Sequence, residues 1–325
     1  MNEFETLVEP HRALLRLHCY RMLGSSHDSD DMVQETLLRA FRSLHTLEDK
    51  ALARAWLHRI ATNVCLDELS KRPRRARGPE LGPPSDPEQP AAPATPDEHW
   101  IEPAPSSWLR GAASDPAAAY TLKESVALAF VAALQILTPA QRAVLLLRDV
   151  VGLSAEETAS TLHSSVSAAN STLHRARAAL EERVGPRARW SPEHIQAIDR
   201  ELLRRYMAAW QSGDLEAIIA LLHEDATISM PPMPTWLLGR EAIRRFFTLR
   251  LGPILDAKLF RAVVVEACGQ PAVGYYRVRE DGQAHFHGID TLEPRDGRIA
   301  VIDHFMSKSG HAAFFADGLP RIVPA

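Results

Sequence analysis

The sequence contains little cysteine, and its few cysteines lie far apart. Cys19, Cys65 and Cys268 are the three cysteines in 325 residues, and they form neither a CxxC pair nor a Cys/His metal-ligand spacing. This scarcity argues against a disulfide framework and against a zinc finger. Isolated cysteines are typical of small core residues in a reducing compartment. We therefore expect no metal and no cofactor.

Long apolar runs and a basic leader are also lacking. No run approaches the roughly 18 apolar residues that are typical of a membrane-spanning helix. The first residues, MNEFETLVEPHRALL, are acidic where a secretory signal would be basic. The sequence thus predicts a cytoplasmic protein that does not bind membranes.

A strong charge of either sign is missing as well. The formal net charge is −4, which argues against a protein that coats nucleic acid over its whole surface. Positive charge is nevertheless concentrated in one short stretch, at Arg54, Arg59, Lys71, Arg72, Arg74, Arg75 and Arg77. Contact with DNA should therefore be local.

The first two segments of the chain differ in pattern. Residues 1–77 predict a small helical bundle, because apolar side chains recur at helical spacing. The two apolar stripes are Val33, Leu37, Phe41 and Leu44, then Leu57, Ile60, Ala61 and Val64. Residues 78–118 are rich in proline and predict a flexible linker. Within this linker WIEPAPSSWL is unusually apolar, so we expect it to dock on another part of the protein.

The third segment, residues 119–185, carries clear helix-start signals. Thr138-Pro139-Ala140-Gln141 and Ser154-Ala155-Glu156-Glu157 each fit a capping box. Residues 153–182 have helix-turn-helix proportions, with a turn at 162–164 and a longer helix from about Ser165. The fourth segment, residues 195–325, has helical runs followed by strand-like runs that are separated by turn residues. It predicts an α+β domain.

Two surfaces have the chemistry of DNA contact. Trp56, Arg59 and Asn63 share one arc of a helix, where a ring could stack on unpaired bases and a guanidinium could meet phosphate. The alternative is that Trp56 belongs to the core and that the arginines form a solvated face. On the longer helix of residues 153–182 short polar side chains precede arginines, which suits a recognition helix in a groove. The alternative there is a helical hairpin that does not bind DNA.

The order of these two signatures resembles the sigma-70 family of bacterial transcription factors, in its small extracytoplasmic-function (ECF) branch. DSDDMVQETLLRAFRSL resembles the region 2 helix that docks on the clamp helices of RNA polymerase, and RAWLHRIATNVCLDELSKR resembles the segment that melts the minus-ten element. TPAQRAVLLLRDVVGLSAEETASTLHSSVSAANSTLHRARAALEE resembles region 4, which reads the minus-thirty-five element. His163 stands where related sequences commonly have glycine, and a left-handed turn there would be strained, although histidine tolerates it better than most residues.

The resemblance implies a role for each matching position. The polymerase-facing residues would be Asp30, Asp31, Gln34, Glu35 and Leu38. The DNA-facing residues would be Arg54, Trp56, Arg59, Asn63, Lys71, Arg72, Ser167, Asn170, Ser171, His174, Arg175 and Arg177. The implied partners are core RNA polymerase, through its clamp helices and flap, and promoter DNA. The implied function is promoter recognition and opening, without catalysis.

The fourth segment resembles the SnoaL-like cone of polyketide cyclases and ketosteroid isomerases. Its matching stretches are YMAAWQSGDLEAIIALLHEDATISMPP, GREAIRRFF and HFHGIDTLEPRDGRIAVIDHFM. Such a cone encloses a pocket. The candidate polar residues of this pocket are Asp303, His304, His285, His287 and Asp290, and they lie beside the apolar residues Trp236, Phe286 and Phe305. These groups could form an acid/base pair or bind a small-molecule ligand. The alternative is that they are satisfied structural polar groups. His285 and His287 could share a metal, but no further ligand spacing accompanies them.

The sequence leaves three functions to compare. The first is a sigma factor whose fused C-terminal domain regulates promoter activity by packing against region 2, region 4 or the linker. The second is a bifunctional protein whose SnoaL-like domain is an active cyclase or isomerase. The third is an ordinary repressor or activator, which the strand-opening surface around Trp56 disfavours.

Overall fold

The protein divides into two compact units. The computed structural model describes residues 3–47, 49–110, 112, 125–184, 198–306 and 308–324. The N-terminal unit contains Met1–Arg75 and Ser106–Ile195, and the C-terminal unit contains Ala76–Pro105 and Gln196–Ala325. The predicted segments 1–77 and 119–185 therefore belong mainly to one unit, and the predicted linker is divided between both. Parts of the predicted segments, including residues 113–124 and 185–197, lie outside the described residues.

The N-terminal unit is helical, as the sequence predicts. Its helices are α1 (Glu3–Leu23), α2 (Ser26–Arg42), α3 (Ala53–Leu69), α4 (Leu128–Ile136), α5 (Pro139–Leu145), α6 (Ala155–Thr161) and α7 (Val166–Val184). Both predicted capping boxes are confirmed, at Thr138 with Gln141 and at Ser154 with Glu157. The turn residue His163 has a φ of 50°, in the left-handed region.

One apolar core joins the helices on both sides of the linker. It contains Leu57 and Ala61 of α3 together with Leu134 of α4 and Leu173 of α7. The apolar stripe of α3 is thus confirmed at Leu57, Ala61 and Val64, which are almost fully buried, while Ile60 is partly buried. The stripe of α2 is only partly buried: Phe41 is 59% exposed and instead contacts the ring of Phe4 on α1.

A buried arginine crosses this core. Arg142 of α5 donates hydrogen bonds to the main-chain carbonyls of Leu134 (2.9 Å) and Leu137 (3.2 Å). It also donates to the side chain of Gln135, at 2.5 Å. Burial lowers the pKa of Arg142 to about 9. The guanidinium thus satisfies carbonyls at the C-terminal end of α4, which has few other donors.

The C-terminal unit is an α+β domain with one curved sheet. Its helices are α8 (Arg200–Ser212), α9 (Leu215–Ala220), α10 (Arg240–Asp256) and α11 (Lys308–Ala316). Its strands are β1 (Leu222–Met230), β2 (Met233–Leu238), β3 (Phe260–Ala267), β4 (Gln270–Val278), β5 (Gln283–Arg295), β6 (Arg298–Phe305) and β7 (Ile322–Pro324).

The sheet order is β2-β1-β6-β5-β4-β3, with β7 paired to β5. The strand-like runs expected in the fourth segment correspond to β3–β6, and these strands form an antiparallel meander. The sequence did not predict β1, β2 or β7. Strand β1 pairs in parallel with β6, and a parallel partner far along the chain leaves no hairpin signal in the sequence.

Alternation along each strand gives the sheet two different faces. One face carries Val273, Tyr275 and Ile302 and packs on α8, α9 and α10 as the main core of the unit. The other face carries Ser229 and Asp303, which pair across β1 and β6. No helix of the described ranges is long and apolar enough to span a membrane.

Candidate functional site

The predicted polymerase-facing residues lie along the exposed side of α2. Asp31, Gln34 and Leu38 are exposed, and Leu38 is 54% exposed although it is apolar. Exposed leucines need no explanation by themselves, but this one lies within a row of polar residues predicted to dock on a protein.

Asp30 and Glu35 are half-buried and belong to ion pairs. Asp30 Oδ1 lies 2.7 Å from Arg16 Nε, and Glu35 Oε1 lies 2.7 Å from Arg39 Nε. Burial raises the pKa of Asp30, and the charge of Arg16 opposes this rise. The Asp30–Arg16 pair therefore joins α2 to α1, whereas the Glu35–Arg39 pair lies within α2.

The predicted strand-opening residues of α3 face the helix-turn-helix. Arg54 Nη2 donates to the carbonyl of Val151 at 2.6 Å, and Asn63 Nδ2 donates to the carbonyl of Thr161 at 3.4 Å. In this structure these two donors are therefore occupied by protein groups instead of DNA.

Trp56 and Arg59 line a groove between α3 and α6. The groove has a volume of about 420 Å³, and its other wall carries Glu156 and Glu157. Trp56 is half-buried there, and its Nε1 donates to Thr46 Oγ1 at 3.2 Å. Arg59 therefore shares this groove with two carboxylates.

Lys71 and Arg72, at the end of this stretch, serve in ion pairs. Lys71 Nζ lies 3.5 Å from Glu68 Oε2, and Arg72 Nη1 lies 2.7 Å from Asp28 Oδ2. Arg75 Nη2 approaches the same Asp28 oxygen at 2.6 Å. The structure therefore gives Arg72 a structural role beside the predicted DNA contact.

The predicted recognition residues of α7 all lie on its exposed side. Its apolar residues Ala169, Leu173, Ala176 and Leu180 face the core. The exposed residues are Ser167, Asn170, Ser171, His174, Arg175 and Arg177. Arg177 also pairs with Asp149, with 2.6 Å between Nη2 and Oδ1. This face remains open to a groove of DNA.

The linker differs from the flexible spacer that the sequence predicts. Residues 76–105 belong to the C-terminal unit and follow the edge of β2. Ser85 N donates to the carbonyl of Trp236 at 2.8 Å, and Thr95 N donates to that of Pro232 at 2.8 Å. Prolines do not prevent this order, because the donors are supplied by the residues between them. The predicted docking segment is buried at Trp100 and Ile101, each 1% exposed.

One linker arginine reaches the second face of the sheet. Arg77 Nη2 bonds to Asp303 Oδ2 and lies 3.0 Å from Glu293 Oε1, while Ser229 Oγ donates to Asp303 Oδ1 at 2.5 Å. Burial alone would lower the pKa of Arg77, but the two carboxylates outweigh it and raise the pKa. We call these four residues the Arg77 cluster.

Gly78 allows the linker to approach the sheet this closely. A Cβ at this position would lie 2.8 Å from the Cβ of Ser229 and 2.9 Å from that of Trp236. Any larger residue would push the linker away from β1 and β2. The neighbouring ring of Trp236 donates from Nε1 to the carbonyl of Gly82 at 3.1 Å.

The core face of the sheet encloses a separate cavity of about 200 Å³. Its polar residues surround Asp290. Tyr206 Oη donates to Asp290 Oδ2 at 2.8 Å, and His304 Nδ1 lies 2.5 Å from Asp290 Oδ1. Burial, followed by the charge of His304, lowers the pKa of His287 to about 3, so this imidazole is neutral near pH 7.

The predicted pocket residues are divided between different places. His287 lines the cavity. Asp303 and Trp236 contact the linker on the other face, and Phe305 accepts a hydrogen bond from His311 through its carbonyl. His285 pairs with Asp281, at 2.7 Å, on the surface. Within the described residues, no group of three or more His, Cys, Asp or Glu is arranged to hold a metal ion.

A β-bulge in β5 explains why simple alternation does not give the face of each polar residue on that strand. Tyr275 pairs with Gly288 and Tyr276 pairs with Phe286, so His287 is an extra residue in β5. A bulge reverses the alternation beyond it and turns Asp290 to the core face. Asp290 and His304, two of the candidate acid/base residues, line the cavity together with His287. The sequence places Arg77 only in the basic stretch, and it predicts no role for Tyr206. A local sequence signal for these contacts is absent, because their partners are far away in the chain.

Comparisons with known proteins agree with this architecture. Three family models match the chain. The model described as "Sigma-70 region 2" matches residues 7–75, and the model described as "Sigma-70, region 4" matches residues 127–180. The model described as "SnoaL-like domain" matches residues 203–302.

Two curated relatives and one solved structure cover most of the chain. The "ECF RNA polymerase sigma factor SigG" of Mycobacterium tuberculosis is 38% identical over 98% of this chain and 84% of its own length. The "Probable ECF RNA polymerase sigma factor SigI" of the same species is 31% identical over 81% of each. The crystal structure of the M. tuberculosis extracytoplasmic function sigma factor SigJ matches with a TM-score of 0.60, 24% identity, and coverage of 96% of this chain and 98% of that chain. The last comparison supports the fold alone.

Proposed function

The chain belongs to the ECF RNA polymerase sigma factors, and we propose that its linker and SnoaL-like domain act together as a fused regulator of the two sigma regions. The chain directs core RNA polymerase to promoters and opens them there. The relatives are named as sigma factors and not as enzymes, and the proposal assigns no catalytic step to this chain.

We propose the finer partner contacts from the exposed surfaces. The α2 residues Asp31, Gln34 and Leu38 would contact the polymerase clamp helices, and region 4 would contact the flap. The outer side of α7 would read the minus-thirty-five element. Trp56 and Arg59 would bind the unpaired strand of the minus-ten element once α3 has separated from α6. This activity belongs in the cytoplasm, where promoter DNA and polymerase meet.

The observation that carries the regulatory proposal is the contact between regions 2 and 4. Arg54 and Asn63, two predicted DNA-facing residues, donate to main-chain carbonyls of Val151 and Thr161. The two promoter elements are centred about 25 base pairs apart, which is on the order of 80 Å of duplex. Both regions cannot read their elements while α3 and the helix-turn-helix remain in contact. Promoter binding therefore requires them to separate.

The linker determines how far they can separate. Residues 76–105 would span roughly 100 Å if fully extended, which is enough to bridge the two elements. Here they are held along β2 and by the Arg77 cluster. When residues 76–105 are docked on the SnoaL-like domain, less of the linker can extend between regions 2 and 4. When they are released, the whole linker can extend. The SnoaL-like domain would therefore control promoter engagement through the state of the linker.

The test is run-off transcription with core polymerase. The full chain is compared with a chain truncated after Gly185, with core binding of both measured by co-purification. We expect both chains to bind core and their promoter activities to differ by several-fold. Equal activities would refute the regulatory proposal. Activity from neither chain, over a panel of promoters, would contradict the strand-opening role.

A further inference from the structure

The two tryptophans of the predicted docking segment WIEPAPSSWL are buried in different units. Trp100 belongs to the C-terminal unit, whereas Trp108 lies in a short 3₁₀-helix, Ser106–Leu109, of the N-terminal unit. The Trp108 ring meets the buried ring of Tyr20 on α1 edge to face, with 6.1 Å between the two centroids. The regulator proposed above involves residues 76–105, and it leaves this attachment of Trp108 to region 2 without a role.

Arg16 of α1 connects Trp108 to the surface that is predicted to dock on polymerase. Its guanidinium carbon lies 4.9 Å from the centroid of the Trp108 ring, which is within the range of a cation–π contact. Its Nε lies 2.7 Å from Asp30 Oδ1 on α2. The ring and the carboxylate therefore bind the same guanidinium. The side chains of Arg16 and Asp30 are 36% and 41% exposed, so a partner can reach this ion pair from solvent.

Arg16 competes with any basic partner for the Asp30 carboxylate. A cationic side chain of a partner that approached Asp30 would meet the guanidinium of Arg16, and like charges at such a distance repel each other. The Trp108 ring favours this position of Arg16, because the face of an aromatic ring attracts a cation. Without the ring, Arg16 would be freer to turn into solvent and would hold Asp30 less tightly. Docking of Trp108 therefore makes Asp30 less available to a basic partner.

We propose that Trp108 of the linker gates the contact between Asp30 and a basic side chain of core polymerase, because it fixes Arg16 on Asp30. Docking of Trp108 on region 2 and binding of polymerase at Asp30 therefore oppose each other. Coupling between two binding events is reciprocal, so polymerase that binds Asp30 also weakens the attachment of Trp108 and helps to release the linker. This gate rests on the proposed function, since it takes polymerase as the partner of α2.

The test is a fluorescence titration of the full chain with core polymerase, without promoter DNA. Trp108→Leu keeps an apolar side chain but removes the ring face, so core should bind about threefold more tightly, the factor expected for a partly exposed cation–π contact. Trp100→Leu is the matched control, because Trp100 is also buried but belongs to the C-terminal unit; it should keep the parental affinity. A purely structural Trp108 would leave core affinity unchanged or lower it on substitution, and either result would overturn the proposal.

A second pair of variants leaves Trp108 in place and carries the test even if Trp108→Leu does not fold. Arg16→Met keeps an unbranched side chain and removes the cation from Asp30, so it should bind core at least as tightly as Trp108→Leu. Arg12→Met is its control: it removes the same charge from α1, but Arg12 pairs with Glu9 at 3.2 Å, and core affinity should stay within about twofold of the parent. Equal affinities of the two variants for core would overturn the proposal.

Double variants show whether the ring acts through Arg16 and Asp30. Adding Trp108→Leu to Arg16→Met or to Asp30→Asn should give no further gain in core affinity, because the gated contact is already removed. A threefold gain that persists in either background would overturn the proposal. Failure of the parent chain to bind core would overturn the proposed function as well, whereas normal binding of the parent with unaltered affinity of both Trp108→Leu and Arg16→Met would overturn the gate alone.

Discussion

The two units of this protein carry their functional chemistry in opposite places. The sigma unit exposes it: Leu38 of α2 is 54% exposed, and the predicted DNA-reading side chains of α7 face outward. The SnoaL-like unit buries it: Asp290 and Asp303 are each 2% exposed. An exposed set suits partners larger than the protein, such as polymerase and duplex DNA. A buried set suits a partner within the same unit, such as the side chain of Arg77 in the linker.

Two buried arginines, one in each unit, also differ in their chemistry. Arg142 of the sigma unit donates mainly to neutral carbonyls, and burial lowers its pKa to about 9. Arg77 of the linker meets two carboxylates, which raise its pKa despite burial. The first arginine completes a helix end within a permanent core. The second arginine forms an ion pair between the linker and β6, and removal of one charge can break such a pair.

The largest expected effect comes from breaking the Arg77 cluster. Arg77→Ala leaves Asp303, whose side chain is 3% exposed, without its cation. Loss of one partner of a buried ion pair costs about 3 kcal/mol. We expect hydrogen exchange of linker amides in residues 76–105 to become at least tenfold faster.

The matched control is an exposed linker pair. Arg245 and Glu88 also join α10 to the linker, but their side chains are 60% and 57% exposed. Exposed pairs contribute little, so Arg245→Ala should leave linker exchange within about twofold of the parent. If both variants accelerated linker hydrogen exchange equally, the buried Arg77 pair would hold the linker no better than the exposed Arg245–Glu88 pair.

A smaller effect is expected at the exposed row of α2 that is predicted to dock on polymerase. Leu38→Glu places a charge in the centre of the predicted polymerase-docking row, and loss of such an anchor typically costs about 2 kcal/mol. Affinity for core polymerase should fall roughly thirtyfold in a fluorescence titration. Leu249→Glu is the control, since Leu249 of α10 is also 54% exposed but lies in the other unit. If both leucines, or neither, affect polymerase affinity, α2 is not the docking surface.

The smallest effect is expected at one phosphate contact. Arg175 is exposed and bonds only to Thr172 among the described residues, at 3.1 Å. Arg175→Ala should weaken promoter binding by the holoenzyme a few-fold on every sequence and reduce the salt dependence by about one ion. An altered preference among minus-thirty-five sequences, at unchanged salt dependence, would instead assign Arg175 to base reading.

The sequence predicts the sigma unit better than the SnoaL-like unit for a physical reason. Helix starts depend on neighbouring residues, so the boxes at Thr138 and Ser154 could be read directly. The recognition side of α7 follows from the 3.6-residue period, which needs no knowledge of distant contacts. The local sequence pattern could not indicate that α3 and the helix-turn-helix share one apolar core.

The buried sites of the SnoaL-like unit depend on contacts between distant residues. Arg77 and Asp303 are 226 positions apart, and no local spacing links them. Strand alternation places His285 and His287 on one face, but the bulge at His287 changes the alternation before Asp290. The strand itself was predictable, whereas the face on which each polar side chain lies was not.

We propose that attachment of the linker to the SnoaL-like domain controls the sigma regions. It is tested most directly by run-off transcription with the full-length Arg77→Ala chain, compared with the parent, Arg245→Ala and the chain truncated after Gly185. We expect Arg77→Ala to change promoter activity several-fold in the same direction as truncation, and Arg245→Ala to have the activity of the parent. Parental activity from Arg77→Ala, when hydrogen exchange shows that its linker has been released, would contradict it.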